Sequence, residues 1–242
     1  KIWGLSPEEC ENSRDLIRTQ IKKGGDYETV AKAIQHSMDT LTPWHCKWRH
    51  VLPNGELRWH EGYGTPYLLP NGVIRLNSMT FDITNEVKIA NLYEETSKLA
   101  KIGSWELSLI GSQDEDKMYW SPVVKEILEV EDDYDMSLSG GLEFYTEECK
   151  ILVKKAIEQL IENGIEYDEE VVLISKSGKE KWVRIIGKSE RIDGVCTKIF
   201  GSIQDIHTMK TTQNQLKEIL ESISDGFYAL DEYWNFKYFN KE

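Results

Sequence analysis

Two stretches decide the fold: Arg49-His-Val-Leu-Pro-Asn-Gly-Glu-Leu-Arg-Trp59 and Val172-Leu-Ile-Ser-Lys-Ser-Gly-Lys-Glu-Lys-Trp182. In each, an apolar run meets Asn-Gly or Ser-Gly, and a charged run then ends on tryptophan, which is the pattern of two strands joined by a tight turn. They lie one constant offset apart (178 − 55 and 182 − 59 both give 123). The offset holds further out, pairing Gly64 with Gly187, Asp82-Ile83 with Asp205-Ile206, and Ala33-Ile34 with Ala156-Ile157. It recurs where Gly103-Ser-Trp-Glu-Leu meets Gly226-Phe-Tyr-Ala-Leu. A period this long exceeds a solenoid repeat, so each unit carries its own core. The chain reads as an array of like domains, cut out of phase at both ends.

The second unit is the complete one. Residues 103–109 alternate, with Trp105, Leu107 and Leu109 on one face, and pair as a hairpin with residues 117–121. Ser121-Pro122 opens a short helix to about residue 130. Residues 137–141, rich in Ser and Gly, read as a loop. A longer helix over 147–162 carries an apolar stripe (Ile151, Ala156, Ile157, Leu160, Ile161) and ends at Asn163-Gly164. Three strands follow over 167–175, 179–190 and 195–206, turning at Ser177-Gly178 and Asp193-Gly194. The first unit repeats the helix over 26–40 and the strands over 44–52, 56–67 and 73–83. Its turns are Pro53-Asn54-Gly55 and Pro70-Asn71-Gly72. It lacks the opening hairpin and starts at a short-helix region over residues 2–8.

Between units the period becomes helical. Met209, Gln213, Leu216, Leu220 and Ile223 follow a 4-3-4-3 spacing, that of a coiled-coil seam. Ile89, Leu92, Thr96 and Leu99 hint at another. So short a seam is not a stable dimer alone, and a helix packed on its own domain fits the same spacing. The expected division is a first domain over 1–86, a helical linker over 87–101, a complete domain over 102–207, a second linker over 208–224, and the opening hairpin of a third domain over 225–242.

The formal net charge of −13 argues against a nucleic-acid binder and against docking on anionic lipid. Cys10, Cys46, Cys149 and Cys196 form no CxxC and read as reduced thiols in a cytoplasmic segment, whatever anchors its parent. No stretch approaches the roughly 20 apolar residues of a membrane helix.

These features together resemble a PAS domain with its PAC segment. Ile2-Trp3-Gly4-Leu5-Ser6-Pro7-Glu8-Glu9 is similar to the family's GYSPEE helix start. The stretch at Arg49 to Trp59 is similar to its R-x-x-x-x-DG-x-x-R-W hairpin, and Phe81-Asp82-Ile83-Thr84 to the DIT that closes a unit and starts the signalling helix. In the second unit these are Ser177-Gly-Lys-Glu-Lys-Trp182 and Gln204-Asp205-Ile206-His207, with histidine replacing the usual threonine. The resemblance implies an α+β fold in which each unit is a five-stranded antiparallel sheet with helices on one face. It also implies a non-catalytic sensory input region relaying to a C-terminal output domain. That output is most often a sensor histidine kinase of a two-component phosphorelay, with diguanylate cyclases and transcription activators as alternatives. A fold alone does not supply a function.

The expected ligand pocket of the second unit lies between sheet and long helix. Its candidate walls are Trp105, Trp120, Phe144, Val153, Ile157, Val172, Ile174, Ile185, Ile199 and Ile203. A packed core without room is the competing expectation. Asp82, Ile83, Thr84, Asp205 and Ile206 are the expected signal-coupling junctions, where sheet becomes helix. No cofactor is expected. A flavin photosensor needs Asn-Cys-Arg-Phe, which neither Cys149 nor Cys10 matches, and a haem sensor needs an axial histidine, for which His36 is the helical candidate. A haem or flavin sensor and a purely structural dimerisation module remain the alternatives. His45, Lys47 and Arg49 share one strand face, with His60 on the next strand, which suits either a carboxylate ligand or a solvated face. His45, Cys46, His50 and His60 do not all converge on a metal, because adjacent strand residues point to opposite faces. The carboxylates at 131–133 and 168–170 read as solvated, and no phosphate loop, GxSxG or HExxH is present. The expected partner is a second copy, paired through the helical linkers and through exchange of hairpin 226–240 onto the sheet of residues 1–84.

Overall fold

The computed structural model describes residues 8, 14–110, 118–134, 136–222 and 228–239. The chain divides into two compact units, Lys1–Glu94 and Glu95–Glu242. Residues 2–7 of the expected first short helix, and Ile223 of the expected seam, lie outside the described residues.

Unit one contains helices α1 (Arg14–Gly24) and α2 (Tyr27–Thr40) and strands β1 (Trp44–Val51), β2 (Leu57–Leu68) and β3 (Ile74–Asp82). The strands form one antiparallel sheet in the order β1-β2-β3. Helix α1 has no counterpart in the sequence reading. It crosses β1 so closely that an ideal Cβ on Gly24 would stand 2.2 Å from the Arg49 carbonyl oxygen. Asp26, just before α2, spends its carboxylate on β1 instead of on its own helix. It accepts from the Arg49 backbone N–H (2.7 Å), Nε (2.9 Å) and Nη2 (2.8 Å), and these bonds lower its pKa. Ile21, Val30, Trp44 and Trp48 form the core.

The inner face of that sheet ends in a histidine pair. His50 on β1 and His60 on β2 are fully buried with ring centroids 3.9 Å apart. Burial pushes both imidazoles down to about 4, against the opposing pull of Asp82.

Unit two begins with β4 (Ile102–Ser108) and β5 (Met118–Trp120), continues with helices α4 (Pro122–Leu128), α5 (Leu138–Leu142) and α6 (Glu147–Asn163), and closes with β6 (Tyr167–Ile174), β7 (Glu180–Ile192) and β8 (Val195–Asp205). All five strands form one sheet in the order β5-β4-β8-β7-β6, with antiparallel neighbours. Leu107, Leu160, Leu173, Val183 and Ile199 are at most 2% exposed at its centre. Helix α3 (Thr84–Ala100) runs across the division between the units, and α7 (His207–Ser222) follows β8 within unit two. Strands β9 (Tyr228–Leu230) and β10 (Phe236–Phe239) pair with each other in a separate two-stranded sheet.

Three local expectations are corrected by the structure. The segment read as a loop over 137–141 is largely helix α5, because the Ser137 hydroxyl accepts from the Gly140 N–H at 3.0 Å. Ser121 sits at the N-cap of α4, but its hydroxyl accepts from the Ser104 N–H of β4 (2.9 Å), tying helix to strand. Ile151 of the expected stripe is 71% exposed, while Val153, Ile157 and Leu160 face the sheet.

The repeated glycines have one physical cause. Trp44 pairs across the sheet with Gly64, and Tyr167 with Gly187. An ideal Cβ on Gly64 would lie 2.0 Å from the Trp44 Nε1, and one on Gly187 would lie 2.3 Å from the Tyr167 ring. Each aromatic ring lies flat over the space a side chain would fill. Gly201 does the same for Trp105, whose ring is 2.7 Å from the ideal Cβ, while the Ile186 carbonyl is 1.8 Å away.

Gly187→Ala and Gly201→Ala therefore lower unit-two stability by about 1–3 kcal/mol, measured by urea unfolding, because a methyl must displace a buried ring or a backbone carbonyl. Acid acts on the other unit. The native pKa values of His50 and His60 lie below the unfolded value of 6.5. The stability they preserve is complete above pH 6.5 and is lost as pH falls towards about 4, at up to ~1.4 kcal/mol per pH unit for each ring. Amide exchange in β1 and β2 should accelerate across that window while β7 and β8 stay protected; equal acceleration in both units would contradict this origin.

Candidate functional site: an apolar cavity and two sheet-to-helix junctions

Unit two holds a partly open cavity of about 60 Å³ between the sheet and helices α4, α5 and α6. Of the ten expected wall residues, Trp105, Trp120, Val153, Ile157, Ile185 and Ile203 line it. The other four do not. Phe144 is buried beside the cavity, edge-on to Trp120 with centroids 6.3 Å apart. Ile199 is fully buried opposite Leu107, further along the sheet. Val172 and Ile174 occupy the wrong phase of β6. Val171 and Leu173 are the buried pair, and Ile174 is 39% exposed.

The sequence reading missed Met118, Val124, Leu128, Leu142, Tyr145 and Tyr167 among the walls, together with Leu138 and Gly141. Tyr167 carried a signal, since it is the 123-residue counterpart of Trp44 and shares the phase of Val171 and Leu173. Tyr145 carried none. It reaches the cavity because residues 144–146 cover the outer edge of β6. The Ile174 N–H donates to the Phe144 carbonyl (2.6 Å), and Tyr145 bridges to Leu173. The Val172 N–H also lies 3.4 Å from the Cys149 Sγ on α6.

Helix α4, which supplies two walls, is held from outside by Glu129. Its carboxylate accepts from the Ser177 hydroxyl, the Lys181 ammonium (3.0 Å), the Lys179 ammonium (3.1 Å) and the Ser175 hydroxyl (3.0 Å) on the β6–β7 hairpin. These bonds, led by that from Ser177, hold it down at about 2. Arg191 similarly binds the last turn of α6, donating from Nη1 to the Ile161 carbonyl (2.8 Å).

The second element of the site is the exit from each sheet. In unit one the Asp82 Oδ1 accepts from the Thr84 N–H (3.0 Å) and hydroxyl (2.5 Å). The Thr84 hydroxyl oxygen accepts from the Trp59 N–H (3.0 Å), and the Ile83 N–H donates to the Trp59 carbonyl (2.9 Å). Unit two repeats this with histidine. Asp205 accepts from the His207 N–H (2.9 Å), the Ile206 N–H donates to the Trp182 carbonyl (3.0 Å), and the Trp182 N–H points at the His207 Nδ1 (3.4 Å). An accepting Nδ1 places the imidazole proton on Nε2. The residues expected to couple sheet to helix thus form one clasp in each unit, and His207 takes over the bond of the threonine it replaces.

The remaining candidates lie elsewhere. His45 and Lys47 face outward and share Glu61 (2.8 and 3.5 Å), while Arg49 is held by Asp26, so the cations of this stripe are already paired with the protein's own carboxylates. His60 lies on the opposite, inner face. His36 is exposed on α2. No group of three or more metal-binding side chains converges among the described residues, although His50 and His60 do meet each other. No helix of the described residues is long and apolar enough to cross a membrane.

Comparison with known proteins places the second unit. Residues 117–203 match the PAS fold family, so one PAS domain is present in the chain. No curated protein matches. Among solved structures, a sensory box histidine kinase/response regulator from Burkholderia thailandensis is 22% identical, covering 52% of this chain and 93% of its own (TM-score 0.44). The N-terminal domain of a diguanylate cyclase with a PAS/PAC sensor from Marinobacter aquaeolei is 16% identical, covering 45% and 98% (TM-score 0.41). The PAS domain of the fruit-fly ELK potassium channel is 16% identical, covering 50% and 97% (TM-score 0.37).

Removing one acceptor from a clasp should free one amide. Thr84→Ala is expected to speed exchange of the Trp59 N–H, and His207→Ala that of the Trp182 N–H, each roughly fivefold for a bond worth about 1 kcal/mol. His207→Thr should restore protection at Trp182; unchanged exchange in both alanine variants would show that the clasps are not formed in solution.

Proposed function

We propose that this chain is a tandem PAS sensory segment. A small ligand or a partner acts on a unit, and helices α3 and α7 carry the change to a C-terminal output domain. The output this reading favours is a histidine kinase of a phosphorelay, ahead of a diguanylate cyclase or a transcription activator, and the segment itself is non-catalytic. The observation that carries the reading is the paired clasp. Both sheets end in an Asp-Ile-acceptor junction on the backbone of the equivalent tryptophan, Trp59 in one and Trp182 in the other, so a shift of the sheet is passed directly to the helix that leaves it. A ligand drives such a change only by binding one position of the sheet more tightly than another.

The helices fit pairing with a second copy. Ile89, Leu92 and Leu99 on α3, and Met209 and Leu216 on α7, are between 56% and 87% exposed at the spacing of a seam. A second reading, a structural dimerisation module with filled cores, is favoured by the small volume of the cavity.

Native mass spectrometry of the purified chain, beside its denatured mass, separates the readings. The expected result is a dimer that retains a small molecule and becomes a monomer in Met209→Glu with Leu216→Glu. An empty dimer selects the structural module. An empty monomer overturns both.

A further inference from the structure

If unit two senses a small ligand, the chemistry of its cavity narrows what that ligand is; the identity of the guest rests on the sensory reading above. No Asp, Glu, Lys, Arg or His lines the cavity. Glu129, which follows the wall residue Leu128, is engaged on the outside by two lysines and two serines. A charged guest would lose its water and meet no opposite charge, which is prohibitive in an apolar site. The guest is therefore uncharged.

The walls are not wholly apolar. Tyr145 and Tyr167 both contribute to them, and neither phenol oxygen has a hydrogen-bond partner among the described residues. Burial pushes both phenols up, so they stay neutral hydroxyls able to donate and accept. Neither hydroxyl oxygen is sealed off completely, so a guest carrying one neutral oxygen can reach them and form the hydrogen bond they lack.

Size sets the third limit. A water needs about 10–15 Å³ of such space, so a cavity of about 60 Å³ holds about four heavy atoms. A dry cavity that accepts benzene is roughly 150 Å³, more than twice as large. An aromatic ring does not fit, and neither does an isoalloxazine or a porphyrin.

We infer that unit two binds a short, uncharged molecule of about four heavy atoms with a single hydroxyl or carbonyl oxygen, held by Tyr145 and Tyr167. The chemical class is that of a two- or three-carbon alcohol, aldehyde or ketone.

Acetone and acetate have the same heavy-atom count and shape and differ in charge, and phenol adds a ring. Methyl-resolved NMR of the full chain, titrated with each in turn, tests the inference. Acetone should shift the methyls of Val153, Ile157, Ile185 and Ile203 saturably, while acetate and phenol leave them unmoved. The double variant Tyr145→Phe, Tyr167→Phe should keep its fold and bind acetone about fivefold more weakly. Undiminished acetone binding in that variant would overturn the role of the phenols. Saturation by acetate or phenol with acetone silent would overturn the ligand class and leave the sensory reading standing. If no probe moves these methyls and the protein carries no small molecule in native mass spectra, the cavity is a packing void, and small-ligand sensing by this unit falls with the inference.

Discussion

An aromatic ring laid over a bare stretch of neighbouring strand is the contact on which both units depend. A glycine with no Cβ lets Trp44 settle on Gly64 and Tyr167 on Gly187, and Trp105 uses Gly201 in the same way. A ring lying along the sheet, instead of standing on it, keeps the inner face low, and the helices can then approach. In unit one the ring is an indole packed against Trp48. In unit two the equivalent position holds the smaller phenol of Tyr167, and that ring becomes a cavity wall.

The same strands connect the hollow to the exit helix. Strand β7 carries Ile185 and Gly187 beneath the cavity and Trp182 at the junction, where His207 and Ile206 hold its backbone. A strand is stiff along its length, so displacement at one end reaches the other without a chain of intermediate contacts. Contiguity supplies a route, and in the proposed sensory reading the coupling is the difference in ligand affinity between two positions of that strand. The outer surface is arranged to leave this route undisturbed. Its cations are matched locally, as in Arg184 with Asp168 and Lys188 with Glu166 (3.0 Å), which are exposed pairs that contribute little energy but neutralise the face. Exposed apolar side chains lie on the two helices and also on β3 (Met79, Phe81) and on the β9–β10 hairpin (Trp234, Phe236).

Much of this was readable from residue order. The constant offset marked two units, turn residues placed the β1–β2, β2–β3, β6–β7 and β7–β8 hairpins, and alternation separated inner from outer faces on β1 and β4. What failed had local physical causes. The Ser-Gly segment that became α5 looked like a loop because its one stabilising contact is a serine hydroxyl reaching a single amide. Val172 and Ile174 were assigned inward because residues 171–174 are apolar on both faces of β6, so alternation within that run gives no phase. Tyr145 lies in no regular element and reaches the site through edge pairing with Leu173.

Composition and spacing determined the order of strands and helices, the acidic net charge, and that each sheet hands over to a helix at an Asp-Ile pair. These depend on periodicity and charge, which are properties of neighbours along the chain. Tertiary structure alone decided which large side chains leave a void, which histidines meet, and that His207 can stand in for a threonine. Those outcomes depend on distances between residues far apart in sequence, and a change of one methyl group or one strand phase reverses them.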